Sequence, residues 1–350
     1  MDTLTHGLSG ALLAQALAPS NPSSSDLSTK ARLAAGFAAA AFPDFDFSLR
    51  LVDTLTYLNW HQGPTHSIFL LPLWALGLAH LFSWISRRRY PPRAFLLPVF
   101  LGLGIHILGD VVTAYGTMLF APITQERFSL PLAFVIDPYL TAIVVGGLIA
   151  VLRFPGSRPA AALAFAALGC YMGLLTVLHF RAMEIAREYA AAQDLAGAVI
   201  HALPQPLTPF NWKMIVAHGD RFDEALVNLW RTRNPAPTGS GSGPLTRMAA
   251  SYHPAASAAW TSHARFGDSP SQEALARDAW NQDALARFRA FAAYPVLDRI
   301  ESEGQRVCVW FLDLRFTLPA LPPSFRYGAC RGAPEGTWHL ERLRGSFWID

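Results

Sequence analysis

The chain has 350 residues, 52% of them apolar and only 15% charged, with a net charge of +3. A soluble globular protein carries about a quarter charged residues. The deficit is concentrated in the first 180 or so positions. No basic stripe interleaved with aromatic residues is present, so nucleic acid is not an expected partner.

Leu4–Ala18 is apolar and rich in small residues, long enough for a helix but short for a full membrane span. Asp2 stands where it can cap that helix. The N-terminus lacks the basic region of a cleavable signal peptide. A polar stretch over Pro19–Thr29 follows, and Ala31–Phe42 is a second apolar helix, stopped by Pro43-Asp44-Phe45-Asp46. Ser67–Ser86 contains no acid, lysine or arginine and can span a bilayer. Further apolar runs cover Ala94–Phe120, Leu132–Leu152 and Ala160–Phe180, with Cys170 expected to be packed in the last.

The connection Arg87–Arg93 holds four arginines, Arg153 and Arg158 flank another, and Lys30 and Arg32 mark the first. Basic short loops favour the cytoplasm. These three fall at alternate connections, so the other helix ends, and the C-terminal part, face outward. The C-terminal domain is therefore expected to be periplasmic or extracellular. Cys308 and Cys330 would there be able to form a disulfide, with two unpaired thiols as the alternative.

Beyond Phe180 the sequence reads as ordinary extramembrane protein. Arg181–Ile200 reads as an amphipathic helix, and Trp212–Val227 as a β-hairpin turning at His218-Gly219-Asp220. Asn234–Pro244 is a Pro/Gly/Ser loop, Ser271–Ala292 has helical periodicity, and Val307–Phe316 and Thr337–Ile349 alternate like strands. The expected fold is an all-α polytopic membrane domain over residues 1–182 with a small α+β C-terminal extramembrane domain over 183–350.

Six ionisable residues lie in or beside the apolar stretches: His6, Asp44, His61, His66, His106 and Asp110. Such groups are costly at membrane depth and tend to be functional. The topology brings all six to one membrane face. His106 and Asp110 share a helix face one turn apart, which suits chelation; a hydrogen bond within the helix is the metal-free alternative. His61-Gln62-Gly63-Pro64-Thr65-His66 places two histidines around a turn, with Pro64 fit for the first turn of a helix. Asp44 and Asp46 offer carboxylates, or are an ordinary polar stop to the preceding helix. Together the six exceed one tetrahedral ion, so one to three divalent ions are expected, zinc first and manganese second. Asp46 and Asp44 are the candidate catalytic carboxylates. Asp2, Thr65, Thr113 and Asp137 are candidates to position the ligands. Arg127 either meets an anionic group or is a solvated surface charge.

The blocks MDTLTHGLSGALLA, FPDFD, HQGPTHS, HILGDVVTAYGTMLFAP, RFSLPLAFVIDPYL and FNWKMIV, over roughly residues 1–220, resemble the bacterial inner-membrane-associated metal-dependent hydrolases. The resemblance implies kinship with zinc-dependent phospholipase C and the single-strand nucleases of that fold. It also implies that His6, Asp44, His61, His66, His106 and Asp110 are the ligands. Gln62 stands where the family has arginine, which removes a phosphate contact there. The expectation is a multi-pass inner-membrane hydrolase, using metal-activated water on an ester or phosphoester of a lipid, envelope component or small molecule. A transporter or proton relay using the same His/Asp pairs, and a structural metal with a C-terminal binding module, are the alternatives.

Overall fold

A computed structural model describes residues 1–343 except 20–22, 24–25, 155–157, 237, 240 and 334. The chain divides into two compact units, Met1–Val177 and Leu178–Asp350.

In the first unit, Asp2 caps α1 (Thr3–Ala16), its carboxylate accepting from the Thr5 amide at 3.0 Å and the Thr5 hydroxyl at 2.7 Å. Ser28 caps α2 (Thr29–Ala41). The polar stretch before it includes 20–22 and 24–25, outside the described residues. Pro43 opens a 3-10 turn, Pro43–Leu51, in place of a plain stop. Asp53 caps the short α3 (Thr54–Trp60), and a second 3-10 turn, Pro64–His66, starts at the proline as expected.

The apolar runs then give α4 (Leu71–Ile85), α5 (Pro92–Val111), α6 (Pro138–Arg153) and α7 (Arg158–Ala192). Among the described residues two helices, at Pro92–Val111 and Pro159–Ala192, are long and apolar enough to cross a membrane. Thr54–His66 with Leu71–Ile85 adds a third if that pair, bent by 81°, counts as one broken span. The run Ala94–Phe120 is thus not one helix: it ends at Val111, and Gly116 takes a φ of +96° in the connection beyond. Nor does the next helix begin at Leu132, because Asp137 caps it one residue before Pro138. Arg181–Ile200 is not a separate helix either; α7 runs unbroken to Ala192. Cys170 is exposed on it, where packing was expected.

Close helix contact in this unit depends on small residues. A Cβ on Gly10 would fall 2.4 Å from the Gly36 carbonyl oxygen, and one on Gly102 would fall 2.7 Å from the same atom. α1, α2 and α5 therefore meet almost backbone to backbone, the approach that small residues permit between membrane helices. Ala39, Leu78, Val99 and Leu103 pack a core between α2, α4 and α5, while Leu12, Val144, Ala164 and Leu175 join α1, α6 and α7. Leu73, Trp84, Leu97 and Phe100 face outward.

The second unit is α+β. Its five-stranded sheet contains β1 (Val199–Pro204), β2 (Asn211–His218), β3 (Arg221–Asn228), β4 (His253–Pro254) and β5 (Trp260–Ala264). The hairpin forms as expected, with His218 paired to Arg221 across Gly219-Asp220. The described residues of Asn234–Pro244 form no strand or helix before α8 (Pro244–Ala250); 237 and 240 lie outside the description. Ser271–Ala292 divides into α9 (Pro270–Asn281) and α10 (Ala286–Phe291). A four-stranded antiparallel sheet follows: β6 (Pro295–Glu303), β7 (Arg306–Asp313), β8 (Arg326–Arg331) and β9 (His339–Leu343). The strand read over Thr337–Ile349 is described only as far as Leu343. Cys308 and Cys330 are cross-strand partners on β7 and β8 and form a disulfide.

Candidate metal centre

Four side chains from three segments converge in the first unit. Asp44 comes from the 3-10 turn after α2, His66 from the turn before α4, and His106 and Asp110 from the last turns of α5. Each offers a donor atom within 4.8 Å of the other three. His66, His106 and Asp110 are almost fully buried.

The proton positions follow from the neighbours. His106 Nδ1 lies 2.5 Å from the Ala40 carbonyl oxygen, which can only accept, so Nδ1 carries the hydrogen. His66 Nδ1 lies 2.9 Å from Thr65 Oγ1, which lies 3.3 Å from Asp46 Oδ2. With the hydroxyl donating to the carboxylate, His66 Nδ1 must donate to the hydroxyl. In the neutral tautomers both Nε2 atoms are then bare lone pairs. Yet they face each other at 2.9 Å, with Asp110 Oδ2 at 3.0 Å from His66 and 3.1 Å from His106. That oxygen is buried without an aligned hydrogen-bond donor despite the short distances. Three electron-rich atoms this close call for either a proton on one Nε2 or a metal cation among them. Nitrogen and oxygen donors around one zinc stand roughly 3.3–3.6 Å apart. The separations here, from 2.9 Å between the imidazoles to 3.7 Å between His106 and Asp44, bracket that spacing.

His6 and His61 lie beside this group rather than within it. His6 Nε2 meets the other oxygen of Asp110, Oδ1, at 3.0 Å, and the Met1 amino group contacts the same atom. The His6 ring stacks on His106 at 3.8 Å and leaves its Nδ1 buried without a partner. Only glycine at 109 leaves room for it, since a Cβ there would fall 2.9 Å from the ring. His61 Nδ1 bonds Asp46 Oδ1 at 2.8 Å, and its ring lies against Tyr57 and Tyr115.

Thr65 bonds both His66 and Asp46, and Thr113 donates to the Asp110 carbonyl oxygen at 2.8 Å. Asp2 and Asp137, expected to position ligands, act as helix caps. Asp137 accepts from the Tyr139 and Leu140 amides and from the Tyr171 hydroxyl at 2.7 Å. Arg127 is partly buried and its guanidinium is engaged by backbone. It donates to the carbonyl oxygens of Asn59 at 2.7 Å, Gly116 at 2.8 Å and His61 at 3.1 Å, tying the end of α3 to the connection after α5. The sequence did not reveal this role, because its acceptors are backbone atoms. Gln62, in the arginine position of the resembling motif, turns its backbone through a φ of +57° and donates its amide to Asp46 Oδ2 at 3.0 Å.

The other potential donor group among the described residues is Cys308, Cys330 and Glu341, but its two sulfurs are bonded to each other and offer no thiolate.

The model of the YdjM inner membrane protein family matches residues 1–182, which include the whole converging group. The chain belongs to that family. Membrane localisation follows from the family and from the apolar helices. The chain is also 30% identical over 148 residues to the "Uncharacterized protein YfhP" of Bacillus subtilis (strain 168), a match covering 40% of this chain and 43% of that protein. The chain thus spans under half the length of this curated relative. No solved structure matches.

Proposed function

We propose that the chain is a membrane-bound metal-dependent hydrolase acting on an ester or phosphoester. The observation that carries this reading is the buried trio of His66 Nε2, His106 Nε2 and Asp110 Oδ2, 2.9–3.1 Å apart with no aligned donor on Asp110 Oδ2. Two imidazoles and two carboxylates suit zinc first and manganese second. A bound ion lowers the pKa of water and polarises the ester oxygen.

The remaining work belongs to the side chains. Asp44 stands off at 3.7 Å from His106, held by the Thr3 hydroxyl at 2.6 Å, and marks the side from which substrate enters. Asp46 is the proton carrier, oriented by His61, Thr65 and the Gln62 amide. In the net reaction the oxygen of one water bonds the phosphorus or carbonyl carbon. The bond from that atom to the leaving oxygen breaks, and one water proton passes by way of Asp46 to the leaving oxygen. The oxidised Cys308–Cys330 pair and the arginines of the α4–α5 connection support a C-terminal unit outside the cytoplasm.

The test is metal content by mass spectrometry of the detergent-purified protein beside a folded His66→Ala/His106→Ala variant, followed by an ester and phosphoester screen. Zinc or manganese near one per chain in the wild type only, with turnover that chelation removes, is the expected result. No metal in either protein after reconstitution, or ion flux in proteoliposomes that survives chelation, would overturn it. Bound metal that stabilises the fold without any turnover would make the ion structural.

A further inference from the structure

The residues bordering the donor group are apolar where a water-facing loop would be polar. In Pro43–Leu51, Asp44 and Asp46 turn toward the histidines, while the alternating Phe45 and Phe47 stand 74% and 54% exposed. Leu51 and Val52 follow at 90% and 72%. The connection between α5 and α6 exposes Ile123 and Ile136, and its Arg127 donates to the carbonyl of His61, whose ring bonds Asp46 of that turn. None of these six residues lies on a span. The connection between α4 and α5 is the contrast, carrying Arg87, Arg88 and Arg89.

Single exposed apolar residues need no explanation, but four on and just after one turn that also carries Asp44 and Asp46 mark an interaction surface. What covers it follows from depth. His106 lies five residues before the end of the 20-residue span α5, or about 7.5 Å along its axis. The donor group therefore sits at the end of a membrane helix, at the boundary of hydrocarbon and headgroups. Arg50 is exposed there, its guanidinium 4.9 Å from the Phe47 ring and 5.7 Å from the Tyr57 ring. A cation resting on interfacial aromatics is the arrangement that meets an anionic headgroup.

We infer that the substrate of this site is a bilayer lipid, which presents its headgroup ester to the donor group while its acyl chains stay among Phe45, Phe47, Leu51 and Ile123. The inference rests on the hydrolase reading and narrows its substrate class.

The experiment has two arms on the full-length, zinc-reconstituted protein. Nitroxide labels on Phe45→Cys and Ile136→Cys, in a Cys170→Ser background, are read by power-saturation EPR in nanodiscs of dioleoyl phosphatidylethanolamine and phosphatidylglycerol, with Arg88→Cys as the aqueous control. Turnover is compared on vesicles of the same lipids, on their water-soluble dihexanoyl counterparts, and on bis-p-nitrophenyl phosphate. The expected result is labels that meet oxygen rather than a nickel chelate, and cleavage of the dioleoyl lipid in preference to its dihexanoyl form. Phe45→Ser/Phe47→Ser then raises KM on vesicles about tenfold. Labels in water, or equal cleavage of dihexanoyl and dioleoyl lipid, or cleavage of the soluble esters alone, would overturn the lipid inference and leave the hydrolase standing. No cleavage of any ester with zinc bound would overturn both.

Discussion

His66 and His106 point their Nε2 atoms at each other across 2.9 Å, and each ring has its Nδ1 fixed elsewhere, on Thr65 and on the Ala40 carbonyl. A hydrogen-bonded histidine pair needs one proton on the line between them, which the fixed tautomers do not supply without a positive charge on one ring. Asp110 Oδ2 offers no relief, since neither ring aligns a hydrogen with it. Chelation satisfies all three atoms at once. The outer hydrogen bonds on Nδ1 are the kind that orient metal-bound imidazoles.

His6 holds the far oxygen of Asp110 and stacks on His106, outside the group of four converging donors. His6→Ala is expected to weaken zinc affinity roughly 10–100-fold while keeping one ion per chain at saturation. Asp110→Asn is expected to abolish binding. Chelator competition on both variants separates these outcomes, and a His6→Ala protein that takes up no zinc at saturation would make His6 a ligand.

Asp46 contacts His61, Thr65 and the Gln62 amide, and reaches His66 Nδ1 only at 3.6 Å. Asp46→Asn is therefore expected to keep the metal and to lower kcat by about 10²–10⁴ if it carries the proton. Metal content and kcat measured on the same preparation check this. Loss of the ion would instead mean that the Thr65–Asp46 link is needed to hold His66.

The convergence of Asp44, His66, His106 and Asp110 was legible because ionisable residues stand out against an apolar background, and because Pro43, Pro64 and an i,i+4 pair fixed their local geometry. The caps at Asp2 and the hairpin at Gly219-Asp220 were legible for the same local reason. What the sequence concealed depends on backbone acceptors and on tertiary contacts. Arg127 acts on carbonyl oxygens, which no pattern of side chains reveals. Asp137 was read as a site residue because it shares the end of the bundle with the histidines, although the Pro138 beside it already signalled a helix start. The end of α5 at Val111 was hidden because residues 112–120 continue the apolar run without a charge, yet they begin the connection at the rim of the site.

Gly36 contacts Gly10 of α1 and Gly102 of α5 through its carbonyl oxygen, and a Cβ of its own would fall 2.5 Å from the Gly10 oxygen. Gly36→Val forces α2 away from both neighbours and displaces Ala40, whose carbonyl fixes the His106 tautomer. The expected result is loss of stoichiometric zinc together with a thermal midpoint well below wild type. Overpacking of this kind costs about 1–3 kcal/mol or more. Gly77→Val, where a Cβ meets nothing within 4 Å, is the control expected to behave as wild type.

Cys308 and Cys330 join adjacent strands and close a loop with a sequence separation of 22. Cys308→Ser is expected to destabilise the C-terminal unit by about 2–4 kcal/mol. In the unreduced wild type, alkylation after denaturation should label Cys170 and neither partner of the pair. Labelling at three positions would show that the pair is reduced in the cell, and would count against placing this unit outside the cytoplasm.

Lys213 is buried in the C-terminal unit, where its ammonium donates to the Leu314 and Thr317 carbonyl oxygens at 2.8 Å and lies 3.5 Å from Glu224. Burial pushes its pKa below the usual lysine value, against the pull of Glu224 and Asp313. The unfolded chain therefore binds more protons than the native one between the depressed and the ordinary lysine pKa, and Lys213 contributes stability that rises with pH across that alkaline window. Lys213→Met should flatten this rise. It should also cost about 3–5 kcal/mol at neutral pH, because Glu224 and the two carbonyl oxygens lose their cation. Adding Glu224→Gln should restore part of the loss. Chemical denaturation of the three proteins across pH measures both effects, and a single variant as stable as wild type would mean that the carbonyl oxygens reach other donors when the lysine is gone.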